Sequence, residues 1–291
     1  MNGCELCPRL CGVRRDEGET GYCGQTDVMR IARIAPHPFE EPPISGKNGS
    51  GTVFFCGCSL GCVFCQNKAI SRGAVEGKEY TVRELADEML RLRDMGVTNI
   101  NLVTATHFAD KVAEALEKVR GDLGIPVVWN TSGYERTQTL RRLEGLVDIY
   151  LPDLKYSSAQ LAADYSSAPD YADVALAAIA EMYRQTGRYV YGEDGTLLRG
   201  VVVRHLVLPS CRKDSIDALK RLAMTVPPED VLLSLMSQYT PDFALDTPYK
   251  NLHRRITTFE YESVLRVAYE LGFDGFSQLP ESAVKDYTPN F

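Results

Sequence analysis

No apolar run in this 291-residue chain approaches the roughly 20 residues that a membrane-spanning helix needs, which excludes an integral helical membrane protein. The start, Met1-Asn2-Gly3-Cys4-Glu5-Leu6-Cys7, lacks the basic and apolar regions of a signal peptide, so a cytoplasmic location is expected. There is no surplus of positive charge: the formal net charge is −7, which argues against a broad nucleic-acid surface and leaves room only for a local basic patch. No internal repeat or low-complexity segment is present, which excludes a solenoid.

What is present is ordinary in bulk and unusual in detail. Hydrophobic residues make up 44% and charged residues 24%, enough for one large α/β domain or two small ones. Nine cysteines in a chain of this expected location point to metal or redox chemistry and not to disulfides. Four fall in residues 4–23, four in residues 56–65, and Cys211 stands alone.

Residues 1–50 read as an irregular cysteine-rich cap, with a proline-dense stretch at 36–43 that argues against helix and central strand. From 51 to 291 the pattern changes to strands alternating with amphipathic helices. Strands are expected at 52–56, 99–104, 126–130, 148–151, 201–208, 231–236 and 275–278, as short apolar runs without strict alternation. Thr81-Val82-Arg83-Glu84 is a capping box, and the helix after it carries Leu85, Met89 and Leu92 before a stop at Gly96. Further helices are expected at 109–120, 137–144, 158–163, 173–185, 215–224 and 258–271. Repeated βα units imply a parallel sheet, and such sheets bind ligands at the C-terminal ends of their strands.

Polar residues stand at those ends. Thr104 and Thr106-His107 follow the second strand, Asn130 and Ser132 the third, and Asp153 and Lys155 the fourth. Arg204 and His205 lie in the fifth, and Gln238 follows the sixth. Singly, each reads as a helix cap. As a set they stand beside Cys58, Cys62 and Cys65, spaced C-x3-C-x2-C after the first strand. Thiolates suit iron–sulfur clusters, copper(I) or zinc. A structural zinc loop normally needs a second pair of Cys or His, and none lies nearby in sequence.

Residues 51–291 resemble radical S-adenosylmethionine (SAM) proteins related to pyruvate formate-lyase activating enzyme. The resemblance rests on Cys58-Ser59-Leu60-Gly61-Cys62-Val63-Phe64-Cys65-Gln66-Asn67, on the Asn-Thr-Ser-Gly of 130–133, on Asp153-Leu154-Lys155, and on Arg204-His205-Leu206-Val207-Leu208-Pro209. The N-terminal Cys4-x2-Cys7-Pro8-Arg9-x-Cys11-Gly12 with Gly21-Tyr22-Cys23-Gly24 resembles an uncharacterised branch of that group. The resemblance implies a partial (β/α)6 barrel holding a [4Fe–4S] cluster on Cys58, Cys62 and Cys65, with one iron left to chelate SAM. It implies reductive cleavage to a 5′-deoxyadenosyl radical that abstracts hydrogen from a substrate, with a flavodoxin or ferredoxin as reductant. By position, Asn130 and Ser132 would hold the methionine end or ribose, and Asp153 and Lys155 the carboxylate or ribose. Phe64 would lie by the adenine, and Arg204, His205 and Gln238 would line the path of the radical. Thr104 and Thr106 occupy the place of the family's usual Gly-Gly-Glu segment, a departure at the cofactor site.

The N-terminal cysteines, Cys4, Cys7, Cys11 and Cys23, read as a closed four-sulfur site for zinc or a second cluster. Three functions follow from these readings. The first is hydrogen abstraction from a protein or peptide, as in the activation of glycyl-radical enzymes. Residues 66–80 are too short for the ferredoxin-like insertion that many activating enzymes carry. The second is radical SAM chemistry on a small molecule. The third is a non-enzymatic electron-transfer or zinc-stabilised binding module, which leaves the strand-end residues unexplained.

Overall fold

The structure, a computed structural model, describes residues 3–73 and 75–277. Its strands are β1 (Met29–His37), β2 (Ser50–Phe55), β3 (Lys78–Tyr80), β4 (Ile100–Val103), β5 (Val127–Thr131), β6 (Ile149–Pro152), β7 (Val190–Tyr191), β8 (Leu197–Leu206), β9 (Leu232–Met236) and β10 (Asp274–Ser277). Its helices are α1 (Pro42–Ser45), α2 (Lys68–Ser71), α3 (Val82–Asp94), α4 (Ala109–Leu123), α5 (Thr137–Arg141), α6 (Ala159–Ser166), α7 (Tyr171–Thr186), α8 (Arg212–Thr225) and α9 (Thr258–Glu270).

The apolar runs pair in parallel, in the spatial order β2-β4-β5-β6-β8-β9-β10. The order has two free ends among the described residues, so the barrel is open, as a partial (β/α) barrel requires. α3 follows the capping box, in which Glu84 N–H donates to Thr81 Oγ1 at 3.2 Å and Thr81 N–H donates to Glu84 Oε2 at 2.8 Å. Such a cap contributes about 1 kcal/mol. The expected last strand is present as β10, while Gln278 and the rest of the C-terminal extension lie outside the described residues. No helix among them is long and apolar enough to cross a membrane.

Strand alternation divides the barrel into two environments. Val127 and Trp129 of β5, Tyr150 of β6 and Val201 and Val203 of β8 pack outward against the helices. Val128, Ile149, Leu151, Val202 and Leu232 pack inward with Ile44 of α1 and form the barrel floor. The next inward positions toward the C-terminal ends are polar or line the cavity, and they build the site.

Residues 1–50 differ from the expected irregular cap. β1 runs antiparallel to β2 from Ile31↔Phe55 to His37↔Ser50 and takes β3 on its other side. β3 reaches only Met29–Ile31 of β1, so Pro36 sits where the strand has a single neighbour and its missing N–H costs nothing. The prolines also start a helix: Pro42 and Pro43 occupy the first turn of α1, where no N–H is needed. The result carries Phe39 and Glu40 to the barrel mouth.

Candidate active site

A cavity of about 250 Å³ opens at the C-terminal ends of the parallel strands. Cys58, Cys62 and Cys65 line one wall, on the loop between β2 and α2. Asn130, Ser132, Asp153, Lys155 and Arg204 line the wall facing it, with Thr104, Phe64 and Gln238 also on the surface. Eleven residues expected at the site from sequence thus share one cavity.

The charged wall is a network. Lys155 Nζ lies 2.5 Å from Asp153 Oδ2, and Arg204 Nε lies 3.2 Å from Asp153 Oδ1. The Arg204 guanidinium also donates to Asn130 Oδ1 and meets Glu40 Oε2 at 3.3 Å. Glu40 Oε1 accepts from Asn101 Nδ2 at 2.9 Å. Burial works to raise the Asp153 carboxyl, but Lys155 and Arg204 outweigh it and hold the group below its ordinary value. Burial works against the charge on Lys155, and Asp153 reverses that, so the ammonium is retained. Glu40 goes the other way: burial dominates and pushes its carboxyl up to about 7 despite Arg204.

The strand ends are locked from behind by Tyr171 of α7. Its Oη lies 2.8 Å from the Ser132 carbonyl and 2.7 Å from the Asp153 carbonyl, and accepts the Lys155 N–H at 3.1 Å. Gly133 has φ of +78°, and a Cβ there would stand 2.1 Å from the Asp153 carbonyl oxygen. Only glycine lets the β5 and β6 ends approach so closely. Thr104 has φ of +60°, a rare state for a β-branched residue, and its N–H donates to the Asn130 carbonyl at 2.8 Å.

Two expected site residues lie elsewhere. His205 is fully buried on the face of β8 opposite Arg204 and is not on the cavity surface, because neighbours on a strand point to opposite faces. Its Nδ1 donates to the Leu154 carbonyl at 2.6 Å, and burial lowers its pKa to about 4. Thr106 also turns away from the cavity and donates to Glu135 Oε1 at 2.6 Å. Trp129 Nε1 donates to that same oxygen at 3.2 Å. Cys56 is buried outside the cavity. Cys4, Cys7, Cys11 and Cys23 are likewise not on its surface. Sequence reasoning missed Glu40 and Asn101. Nothing in the proline-rich stretch signalled that Glu40 enters the barrel, while Asn101 was readable as a polar residue at an inward strand position.

The family model of the radical SAM superfamily matches residues 52–193, which span β2 through β7 and include the cysteine loop. Residues 52–193 thus form a radical SAM superfamily domain. An uncharacterized protein of Methanocaldococcus jannaschii is 28% identical over 286 residues, covering 94% of this chain and 76% of that one. Among solved structures, methylornithine synthase is similar at a TM-score of 0.49 and 15% identity, over 73% of this chain and 59% of that one. A domain of pyruvate-formate lyase-activating enzyme from Bacteroides vulgatus is similar at a TM-score of 0.42 and 14% identity, over 58% of this chain and 89% of that one. Streptococcus suis SuiB bound to SAM is similar at 0.48 and 14%, over 76% and 48%. The chain thus spans less than two thirds of methylornithine synthase and of SuiB.

As a radical SAM enzyme the chain uses a [4Fe–4S] cluster and SAM, and the cavity fits both. Burial and the neighbouring thiols of Cys62 and Cys65 push the Cys58 thiol up to about 12. A bare site of this kind keeps its protons, and a bound metal displaces them. The Leu60 N–H donates to Cys58 Sγ at 3.3 Å, and the Ser166 hydroxyl lies 2.9 Å from Cys62 Sγ, contacts suited to cluster thiolates. Facing them, a fixed ammonium and a carboxylate match the polar end of an amino-acid cofactor.

Proposed function

We propose that the chain abstracts hydrogen from a protein or peptide segment, in the manner of enzymes that activate glycyl-radical proteins. Cys58, Cys62 and Cys65 would hold the cluster, which when bound and reduced would supply the electron for cleavage of SAM. Lys155, held by Asp153, takes the carboxylate of SAM. Asn130 and Ser132 take the methionine end or ribose, and Phe64 lies by the adenine. Thr104 shapes the cofactor wall. Arg204 and Gln238 line the route toward substrate, and apolar walls from Leu206, Leu208 and Met236 keep water away from it.

The observation that carries the substrate class is where the charge lies. Among the cavity's lining residues, Asp, Glu, Lys and Arg occur only in the Glu40, Asp153, Lys155 and Arg204 network, which the cofactor engages. The rest of the wall is apolar or neutral polar, apart from His37, and Phe39 stands exposed at its edge. Such a surface suits a neutral backbone segment better than a charged metabolite. The reductant is a low-potential one-electron donor of the flavodoxin or ferredoxin class.

The test is anaerobic reconstitution with iron, sulfide, SAM and dithionite, measuring 5′-deoxyadenosine. Product should form and should rise when the protein fraction of a cell extract is added. A rise with only the small-molecule filtrate would overturn the substrate class, and no product at all would overturn the site.

A further inference from the structure

Ser166 is the last residue of α6, and it meets the loop that carries Cys58, Cys62 and Cys65. A serine hydroxyl inside a helix commonly bonds back to its own chain, at the carbonyl four residues earlier. That of Ser166 turns outward: its Oγ lies 2.9 Å from Cys62 Sγ and 2.9 Å from Tyr156 Oη. Ser166 and Tyr156 are both buried, so no bulk water competes for either hydroxyl.

We propose that Tyr156 and Ser166 form a hydrogen-bond relay onto Cys62 that raises the reduction potential of the cluster. They are positioning residues, acting on the cluster through the Cys62 sulfur. The inference rests on the reading that Cys62 is a cluster ligand, and goes beyond it by assigning what tunes that ligand.

The direction of the relay follows from the sulfur. A thiolate that binds metal carries no proton and can only accept. The Ser166 hydroxyl therefore donates to Cys62 Sγ, and its oxygen accepts from the Tyr156 hydroxyl. The phenol is the more acidic of the two groups and belongs at the donor end. Each bond in such a chain polarises the next, and the low dielectric of a buried site strengthens the effect.

The consequence has a sign. Reduction adds one negative charge to the cluster and its thiolates. A donor aimed at a thiolate stabilises the more negative state more strongly, so it favours reduction.

Further contacts hold the geometry that this needs. Val63 N–H, next to Cys62, donates to the Tyr165 carbonyl at 2.9 Å and pins the loop to the last turn of α6. Arg9 spans the same joint with one planar group. Its Nε donates to the Ser59 carbonyl at 2.8 Å, and its Nη2 to the Ser166 carbonyl at 3.2 Å. The Tyr156 ring stands edge-to-face against Tyr171 and Tyr165, with centroids 5.5 Å and 6.2 Å away.

The other two cysteines of the loop are served differently. Cys58 Sγ accepts the Leu60 N–H at 3.3 Å, a contact within the loop itself. Cys65 Sγ lies 3.5 Å from the hydroxyl of Ser71, which is only partly buried. The buried two-hydroxyl chain falls on Cys62.

The test is a redox titration of the anaerobically reconstituted full chain without SAM, followed by electron paramagnetic resonance, beside an iron count. Ser166→Ala should bind as much iron as wild type and shift the midpoint potential to more negative values. Tyr156→Phe should shift it the same way by less. Ser167→Gly, at the neighbouring position with φ of +52°, should leave it at the wild-type value. Tuning also permits a chemical rescue that a merely structural role does not. Formation of 5′-deoxyadenosine by Ser166→Ala should fall several-fold with dithionite and return with titanium(III) citrate, a stronger reductant. Full iron in Ser166→Ala with an unchanged potential would overturn the relay. If Ser166→Ala binds little iron, Tyr156→Phe decides: a more negative potential supports the relay, and the wild-type value overturns it. An iron count unchanged by Cys62→Ala would overturn the ligand reading itself, and the relay with it.

Discussion

Glu40 Oε2 lies 3.3 Å from the Arg204 guanidinium, so the proline-rich segment is tied to the barrel interior by a buried ion pair. Arg204 keeps Asp153 as a counter-ion without Glu40, but the buried Asn101 amide loses its acceptor. Glu40→Ala is therefore expected to cost about 2 kcal/mol of stability, and Glu40→Gln distinctly less, since it keeps an acceptor for Asn101. The pH dependence follows from the raised carboxyl. The folded chain holds this proton more tightly than the unfolded chain, so the associated stability is full below the ordinary value of 4.5 and is lost as pH rises to about 7. Urea unfolding across that window should show a flatter profile for Glu40→Gln than for wild type.

Cys58→Ala, Cys62→Ala and Cys65→Ala are each expected to abolish 5′-deoxyadenosine formation, and each should remove about four irons. Cys56→Ala should keep both, because Cys56 lies outside the cavity and its carbonyl, not its sulfur, is engaged by His107. A dead Cys56→Ala variant beside an active Cys58→Ala variant would reverse the ligand assignment.

Asp153→Ala and Lys155→Ala should keep the cluster and weaken SAM binding by roughly ten- to a hundredfold, the weight of one charge-assisted hydrogen bond. Equilibrium binding of SAM to the reconstituted chain measures this directly. Unchanged affinity in both variants would remove the pair from the cofactor site.

His205→Asn should retain turnover, because the side chain lies on the outer face of β8 and asparagine keeps a donor for the Leu154 carbonyl. Its effect belongs to acid stability. Burial holds the imidazole neutral down to about pH 4, whereas the unfolded chain protonates near 6.5. Wild type therefore loses stability as pH falls from 6.5 to about 4, by something on the order of 3 kcal/mol from this group. The asparagine variant should lose less over the same range in chemical denaturation.

Thr104→Gly is expected to hold stability within about 1 kcal/mol of wild type or to raise it, since relief of the left-handed backbone offsets the extra chain entropy of glycine. Thermal melting checks this. A loss above about 2 kcal/mol would mean that the threonine side chain itself carries the local fold.

Much of this arrangement was legible because parallel strands are simple to read. The apolar runs around 126–130 and 231–236 became β5 and β9, and the residues just past them, Ser132 and Gln238, reached the cavity. What failed was side-chain direction at two adjacent residues. Arg204 and His205 were both assigned to the site, yet alternation admits one of them, and a continuous apolar strand offers no pattern to choose which. Glu40 was illegible for another reason: its place depends on pairing between β1 and β2 that brings a proline-rich turn over the barrel, and no local signal encodes that. β3 and β7 were missed because they are short and largely exposed.

Arg9 donates to the carbonyls of Ser59 and Ser166, and Thr139 donates to the carbonyl of Leu6. Arg9 and Leu6 thus find their seats on residues made 50, 133 and 157 positions later. During synthesis the N-terminal thiols wait bare until most of the barrel exists, and bare thiols are open to oxidation. Slow synthesis under reducing conditions therefore favours correct closure of this segment on the barrel.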